Sequence, residues 1–408
     1  MKRTFAAILA ALTLFSLTSC GKTEEAPPAE QPTPPPPMEI PAPDEQPPVV
    51  EILPEPADPI DLLLDSMTLE EKVGQLFFVR VPAENAVEDV AQYHLGGYIL
   101  FGRDTKDKTA NEIIQTIHSY QAAACSSDGA DIPLLIGVDE EGGSVVRVSS
   151  NPHLRSQKFA SPKKLFDVGG LDAVAEDTGE KDRLLQSLGF NVNLAPVADI
   201  CTDPSAFMYN RTAGGAATTT AYVEAVLARM GSDGMGSVLK HFPGYGNNVD
   251  THTGIAIDDR PLETFRSSDF LPFAAGIQRG GDLTAVLMSH NIMTAVDADL
   301  PASLSPAVHD LLRRELMFDG VVMTDDLAME AVAAYAEDGA VAVMSIEAGN
   351  DIVLTTDYRT QIPKVLEAVE NGTLSEETID TACRRVLRWK QALGLLVPDI
   401  IDHFRYTS

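Results

Sequence analysis

The stretch Gly236-Ser237-Val238-Leu239-Lys240-His241-Phe242-Pro243-Gly244-Tyr245-Gly246-Asn247-Asn248-Val249-Asp250-Thr251-His252-Thr253-Gly254 changes character once along its length. It begins as a short buried-type strand and continues from Lys240 as a run of titratable side chains among glycine, proline and asparagine, which is typical of a loop. Titratable groups crowded directly after a strand indicate a functional site. A surface turn with incidental charges is the alternative, and the rest of the chain decides between the two.

Seven further apolar runs surround this stretch, and between them lie amphipathic helical patterns with capping boxes at Thr68 and Thr109. Most of the runs are continuously apolar, as parallel strands buried on both faces are. Eight β-then-α units predict the α/β class and a TIM-type (β/α)8 barrel as the single catalytic domain. A doubly wound open sheet is the competitor, but no Gly-x-Gly-x-x-Gly opens a helix near the start. The predicted strands are 75–79, 97–101, 133–138, 192–197, 236–240, 285–289, 320–324 and 351–355.

The N-terminal part of the chain has the pattern of an exported protein. Residues 1–20 have a basic start, an apolar centre and the lipobox-like end Leu17-Thr18-Ser19-Cys20, which predicts a lipoprotein signal peptide with lipid on Cys20. An ordinary signal peptide with a chance cysteine is the alternative. Residues 21–58 are rich in proline and glutamate and predict a disordered linker. We therefore expect an extracytoplasmic lipoprotein, anchored to the membrane through Cys20, with the barrel over 59–400.

The composition excludes some classes of partner and of site. The formal net charge is −30 and no basic patch offsets it, which argues against nucleic acid as a partner. Besides Cys20, the cysteines at 125, 201 and 383 are too widely spaced for a disulfide framework or a zinc motif.

Polar residues follow the ends of six predicted strands, and in a barrel the functional residues lie just past the carboxyl ends of strands. Scattered surface residues would not follow strand ends in this way, so the functional interpretation of 240–254 is favoured. The residues concerned are 139–147, Asp199, 240–254, 289–291, 324–326 and 355–356.

Two of these strand ends predict glycosidic chemistry. One carboxylate of the pair Asp325 and Asp326 should face the barrel mouth, where it could displace a glycosidic leaving group. His252 can donate and accept a proton near neutral pH, and Asp250 can orient it. For Asp326 the alternative is a role as the N-cap or first-turn anion of a helix. His290 is either a structural residue of the barrel or a residue that contacts ligand.

The sequence resembles the bacterial β-N-acetylhexosaminidases of glycoside hydrolase family 3, in their single-domain lipoprotein form. The resemblance covers Asp65 to Leu395, and its motifs stand in the order of the family. The matching segments are Ile136-Gly137-Val138-Asp139-Glu140-Glu141-Gly142-Gly143, Asn193-Leu194-Ala195-Pro196-Val197-Ala198-Asp199, Asn210-Arg211-Thr212, Lys240-His241-Phe242-Pro243-Gly244, Asp250-Thr251-His252, Ser289-His290 and Thr324-Asp325-Asp326-Leu327-Ala328-Met329.

The resemblance implies a role for each matching position. Asp325 matches the nucleophile of a retaining mechanism, His252 the general acid/base and Asp250 its dyad partner. The implied substrates are terminal, non-reducing β-linked N-acetylglucosamine residues, including those of muropeptides, with no cofactor and no metal. The matching substrate-binding positions are Asp139, Arg147, Arg211, Lys240 and His241.

The sequence departs from the family pattern at one place. Many relatives have histidine where Tyr245 stands, and a loop one residue longer between Gly246 and Asp250. The alternatives to the main interpretation are a β-glucosidase or β-xylosidase of the same family, a glycan-binding lipoprotein without activity, and phosphorolysis in place of hydrolysis.

Overall fold

A computed structural model describes residues 58–126, 131–246, 256–329, 332, 335 and 340–396. The predicted signal peptide, Cys20, nearly all of the predicted linker, Asp250 and His252 lie outside the described residues, so the predictions about them stay predictions. Within the described part of the chain, no helix has the length and apolarity needed to cross a membrane.

Eight parallel strands form one sheet that curls into a nearly closed barrel, which confirms the predicted fold. From β8 the neighbours run β1, β2 and so on to β7. The remaining seam is bridged by the pair Met323–Ile352 and by the Thr324 amide, which donates to the Ile352 carbonyl at 3.1 Å. The strands are β1 (Phe77–Arg80), β2 (Gly97–Leu100), β3 (Leu135–Val138), β4 (Val192–Asn193), β5 (Gly236–Phe242), β6 (Thr284–Met288), β7 (Val322–Thr324) and β8 (Val353–Thr355).

Helices alternate with these strands, and the capping boxes predicted at Thr68 and Thr109 are both formed. π-helical turns at Phe265–Asp269 and Leu311–Glu315 adjoin two of the helices, and a short parallel pair, Ile257–Asp258 with Ile292–Met293, lies apart from the barrel sheet. The α-helices are Pro59–Ser66, Leu69–Gln75, Glu88–Gln92, Gly102–Thr105, Ala110–Ala124, Pro162–Leu188, Ala216–Asp233, Leu262–Thr264, Phe270–Gly280, Pro306–Asp310, Val341–Ala348, Tyr358–Glu370 and Glu376–Ala392.

All eight predicted strands differ from the structure by one to four residues at one end or both, and two of these differences have a clear physical cause. The strand predicted over 192–197 keeps regular pairing only at Val192–Asn193. Pro196 has no N–H to donate to a ladder, and only its carbonyl contacts β5, accepting from the Lys240 amide at 3.4 Å. Gln75 was predicted in a strand but ends the helix that Thr68 opens.

The barrel interior is filled by apolar side chains from the strands. Phe78, Ile99, Leu135, Val238 and Leu287 belong to one buried cluster, and each is at most 2% exposed. A larger cluster fills the space between the strands and the surrounding helices. Because the interior is packed, a ligand can enter only at the ends of the barrel.

Candidate active site

A cavity of about 740 Å³ opens at the carboxyl ends of the strands. The six predicted site residues that the structure describes all line it, although they come from widely separated parts of the chain. The barrel brings them together because its parallel strands all end at the same face. These residues are Asp139, Arg147, Arg211, Lys240, His241 and Asp325.

Glu141 is the centre of a buried ionic network in this cavity. Its Oε1 and Oε2 atoms accept from the Arg211 guanidinium at 2.8 and 2.9 Å, and Lys240 Nζ lies 2.8 Å from Oε1. Lys240 Nζ also donates to Asp139 Oδ1 at 2.7 Å. Glu141, which the prediction did not include, therefore holds Arg211 and Lys240 in place, and Lys240 in turn holds Asp139.

The charges of this network outweigh the effect of burial on protonation. Burial alone would raise the pKa of Glu141, but the Arg211 and Lys240 charges hold it well below its usual value. Burial alone would lower the pKa of Lys240, but Asp139 and Glu141 raise it above its usual value. Glu141 and Lys240 are therefore both charged at neutral pH.

In its neutral imidazole form, His241 is held in one tautomer by its two neighbours. Its Nε2 atom lies 3.5 Å from Arg211 Nη2, and a guanidinium can only donate, so Nε2 is the acceptor. Nδ1 then carries the proton and donates to Asp199 Oδ2 at 2.7 Å. The other Asp199 oxygen accepts from the Tyr245 amide at 2.7 Å. Asp199 thus fixes both the imidazole and the start of the loop that follows.

Asp325 follows β7, and its amide donates to the Met288 carbonyl of β6 at 3.0 Å. Its Oδ1 atom accepts from the Asp326 amide at 2.8 Å. Burial alone would raise the pKa of Asp325, but His290, His241, this hydrogen bond and Lys240 together lower it below its usual value. The cavity therefore holds an ionised carboxylate at a carboxyl strand end.

Asp326 lines the same cavity, so the expectation that only one of the two aspartates would face the barrel mouth is wrong. Its Oδ1 atom also accepts from the Ala328 amide at 3.0 Å within a turn. No helix begins at Asp326 among the described residues, so the N-cap alternative stays a prediction. His290 is fully buried, with Nε2 3.1 Å from the Asp326 carbonyl and Nδ1 2.7 Å from Ser303 Oγ. These contacts favour the structural role for His290, because its imidazole contacts the backbone of the Asp325–Asp326 turn.

A pair of arginines lines another part of the cavity wall. The Arg80 and Arg147 guanidinium groups lie 4.1 and 5.7 Å from the centre of the Phe101 ring. Neither Nε atom has a hydrogen-bond partner among the described residues. Arg80 lies 4.0 Å from Asp326, whereas Arg147 forms no ion pair within the described part of the chain. Positive charge is thus available to a ligand here.

The two adjacent glutamates after β3 have different roles. Glu141 faces the cavity, whereas Glu140 is fully buried and accepts from the amides of Arg147 and Val148 at 2.8 and 2.7 Å. The Ser149 hydroxyl donates to the same carboxylate. Glu140 therefore sets the shape of the loop that carries Arg147.

Several cavity residues were missed from the sequence. Glu141 stands inside a quoted motif, and only its partners distinguish it from Glu140. Arg80 ends β1, a strand end to which the prediction gave no polar residue. Phe207 and Tyr245 line another part of the wall with ring centres 5.4 Å apart, and Phe207 lies on a long loop that no strand-end rule reaches.

No group of three or more His, Cys, Asp or Glu side chains that could hold a metal ion occurs within residues 58–396, so far as these are described. The prediction that no cofactor is needed stays a prediction.

Comparison with known proteins agrees with this architecture. Residues 68–389 match the family described as "Glycosyl hydrolase family 3 N terminal domain". The chain therefore belongs to glycosyl hydrolase family 3. It is 30% identical over 334 residues to "Beta-hexosaminidase LpqI" of Mycobacterium tuberculosis, covering 78% of this chain and 82% of that protein. It is 32% identical over 292 residues to "Beta-hexosaminidase" of Stenotrophomonas maltophilia (strain K279a), covering 69% and 82%.

Solved structures of the same family share the fold. A family 3 β-N-acetylglucosaminidase from Paenibacillus sp. str. FPU-7 superposes with a TM-score of 0.75 at 29% identity, covering 83% of this chain and 68% of that one. The structure of M. tuberculosis LpqI superposes with a TM-score of 0.72 at 28% identity, covering 81% and 95%.

Proposed function

We propose that this protein is a retaining β-N-acetylhexosaminidase that removes terminal, non-reducing β-linked N-acetylglucosamine, including that of peptidoglycan fragments. The observation that carries the proposal is the ionised Asp325 in a cavity that is also lined by the charged network of Asp139, Glu141, Arg211 and Lys240. The names of the relatives, β-hexosaminidases at about 30% identity, support the substrate class.

Asp325 is the nucleophile in this proposal. Its lowered pKa keeps it ionised and able to attack the anomeric carbon, which forms a glycosyl-enzyme ester as the bond to the leaving oxygen breaks. His252, oriented by Asp250, gives its proton to that oxygen and then takes one from the water that attacks the ester. The support for the pair Asp250 and His252 is the family resemblance alone, because both lie outside the described residues.

Sugar binding is assigned to the network around Glu141. Lys240 and Asp139 present donors and acceptors to hydroxyl groups, and Arg211 and His241 line the same wall. Because each side chain is held by a neighbour, little conformational entropy is lost when the sugar binds. Such preorganised contacts favour one ring orientation over Asp325.

The aglycone side of the substrate is the finer part of the proposal. Arg80 and Arg147 offer guanidinium groups with donors unused by the described residues, in a protein whose net charge is −30. A carboxylate on the leaving sugar, as peptidoglycan fragments carry, would form charge-assisted hydrogen bonds with these guanidinium groups. The leaving sugar of chitobiose is neutral and would not form such contacts, so the arginines support the muropeptide class.

The experiment compares the hydrolysis of chromogenic β-N-acetylglucosaminide, β-glucoside and β-xyloside with one leaving group, with and without phosphate. We expect turnover of the N-acetylglucosaminide alone, with free N-acetylglucosamine as the product and no activity in Asp325→Ala. Faster turnover of the glucoside or xyloside, a sugar phosphate product, or tight sugar binding without turnover would each contradict the proposal.

We also infer that Cys20 carries lipid and holds the enzyme at the extracytoplasmic membrane surface. The support is the sequence pattern of residues 1–20. In the producing cell, we expect Cys20→Ser to move activity from the membrane fraction to the soluble fraction. Unchanged membrane association of this variant would contradict lipid anchoring at Cys20.

A further inference from the structure

The chain leaves the cavity wall at Tyr245–Gly246 and re-enters the described structure at Ala256. Residues 247–255, between these points, carry the predicted Asp250 and His252 and lie outside the described residues. The returning end is held by backbone pairing, since the Ala256 carbonyl accepts from the Ile292 amide at 2.8 Å. The strand pair Ile257–Asp258 with Ile292–Met293 follows directly.

Arg260 joins this returning end to the helical segment that follows. Its Nε and Nη2 atoms donate to the Asp258 carboxylate at 2.9 and 2.7 Å. Its Nη1 and Nη2 atoms donate to the two Asp269 oxygens, each at 3.0 Å. The guanidinium also lies 4.3 Å from the centre of the Phe265 ring. Arg260, Asp258 and Asp269, here called the arginine clasp, form one rigid unit.

The departing end of the chain packs directly on the arginine clasp. A Cβ atom at Gly246 would lie 2.7 Å from Arg260 Nη2, and a Cβ atom at Gly244 would lie 2.7 Å from Asp269 Oδ1. Both glycines have positive φ, +56° and +119°, which disfavours any larger residue. Backbone and guanidinium thus meet without an intervening side chain, and the clasp fixes where the chain turns away at Gly246.

The clasp is not a surface ion pair. Asp258 and Asp269 are only 3% and 2% exposed. Without the guanidinium, two buried carboxylates would face each other across the space that Arg260 fills, and they would repel. The Arg260 guanidinium therefore offsets the repulsion between the two carboxylates.

We propose that Arg260 is a positioning residue for proton transfer, because the arginine clasp sets the relative position of the two chain ends between which Asp250 and His252 stand. The inference rests on the proposed function and goes beyond it by assigning a role to a residue outside the cavity lining. Arg260 acts through the chain ends at Gly246 and Ala256 and contacts no substrate.

The test uses the full enzyme and aryl N-acetylglucosaminides with a strongly and a weakly acidic phenol as leaving groups. Departure of the weakly acidic phenol needs a proton, whereas departure of the strongly acidic one does not. In Arg260→Lys we expect kcat/KM on the weakly acidic phenol to fall about 10- to 100-fold, while kcat/KM on the strongly acidic phenol stays within about 3-fold of wild type. The affinity for N-acetylglucosamine should not change.

Gly246→Ala gives an independent variant, because its added methyl group displaces the same contact from the other side and should give the same pattern. Arg266→Lys is the matched control, since Arg266 also forms a two-bond pair with a carboxylate, Glu315 at 2.7 and 2.9 Å, but does not line the cavity. We expect wild-type values on both substrates for this control.

Equal losses on both substrates in Arg260→Lys and Gly246→Ala, or a weakened affinity for N-acetylglucosamine, would overturn the inference and leave Arg260 a purely structural role. His252→Ala separates this failure from failure of the proposed function. If His252→Ala shows the leaving-group dependence and the clasp variants do not, only the inference fails. If the wild-type enzyme turns over neither substrate, the proposed function fails first.

Discussion

At the scale of single residues, the neighbouring glutamates Glu140 and Glu141 follow the same strand but contact different groups. Glu141 forms buried ion pairs with both Lys240 and Arg211. The Glu140 carboxylate instead accepts from backbone amides of the following loop, and one of these amides belongs to the cavity residue Arg147. The two residues should therefore respond differently to the same substitution.

We predict that Glu141→Gln lowers kcat/KM on an N-acetylglucosaminide by about 100-fold, because two cations lose the charge that orients them. The matched variant Glu140→Gln should mainly lower the unfolding temperature, and its loss of kcat/KM should be smaller than that of Glu141→Gln. Steady-state kinetics and thermal unfolding of both variants check this. Wild-type kcat/KM in Glu141→Gln would contradict the role assigned to the network.

The part of the candidate site that lies at the carboxyl ends of strands could be predicted from the sequence. Asp139 and Asp325 each follow a strand directly and Lys240 lies near the carboxyl end of β5, so the barrel places them together. Glu141 was missed because adjacent carboxylates in one motif look alike until their partners are known. Arg80 and Phe207 were missed because which side chains line a cavity depends on packing between segments distant in the chain.

At the scale of elements, the contact between two neighbouring helices contains a buried carboxyl group. Asp182 on the helix Pro162–Leu188 is fully buried beside Asp233, which ends the helix Ala216–Asp233. Burial, and then the Asp233 charge, raise the pKa of Asp182 to about 8, although Lys181 and Arg229 partly offset them. The folded state therefore keeps a proton that the unfolded chain releases above its ordinary value of 3.8.

This difference predicts how stability depends on pH. Between the unfolded pKa of 3.8 and the folded pKa of about 8, the folded state binds one proton more than the unfolded state, so stability falls as pH rises. Asp182→Asn should flatten this fall and, at pH 8, raise the free energy of unfolding by about 1 to 3 kcal/mol. Chemical denaturation at several pH values measures it.

Asp172→Asn is the matched control, because Asp172 is an exposed aspartate on the same helix. It should leave the pH dependence unchanged. Parallel pH profiles for Asp182→Asn and the wild type would show that the buried carboxyl group does not carry the effect.

The order of strands and helices could be predicted because buried parallel strands are continuously apolar and helix starts carry capping residues. The ends were less readable. β4 was predicted too long because apolar residues continue past its pairing, where Pro196 lacks a donor. The start of β1 was predicted early because buried Gln75, which donates to the His94 carbonyl at 2.9 Å, lies in an apolar run although it ends a helix.

At the scale of the whole molecule, the two ends of the barrel have separate tasks. The carboxyl ends carry the cavity, whereas Asp351 precedes β8 at the opposite end, beside the β7–β8 seam. Its Oδ2 atom accepts from the Val322 amide at 2.8 Å and from Arg313 Nη2 at 2.6 Å. Its Oδ1 atom accepts from Arg385 Nη1 at 3.1 Å. This buried carboxylate ties two cations to the seam.

We predict that Asp351→Ala lowers the free energy of unfolding by about 2 to 4 kcal/mol, because it leaves a strand amide and two guanidinium groups without their shared acceptor. The kcat/KM of the folded fraction should not change. Asp319→Ala is the matched control, since it removes the exposed partner of the same Arg385 and should change stability by less than about 1 kcal/mol. A loss of kcat/KM in Asp351→Ala with unchanged stability would contradict the division of tasks.

The central claim is that Asp325 forms a covalent bond to the sugar during turnover. The most direct measurement is to incubate the enzyme with a slow fluorinated N-acetylglucosaminide and locate the adduct by peptide mass spectrometry. We predict a single sugar label on Asp325 that disappears when the slow substrate is removed and the enzyme is allowed to turn over. A label on Asp326 or on any other residue would contradict the account.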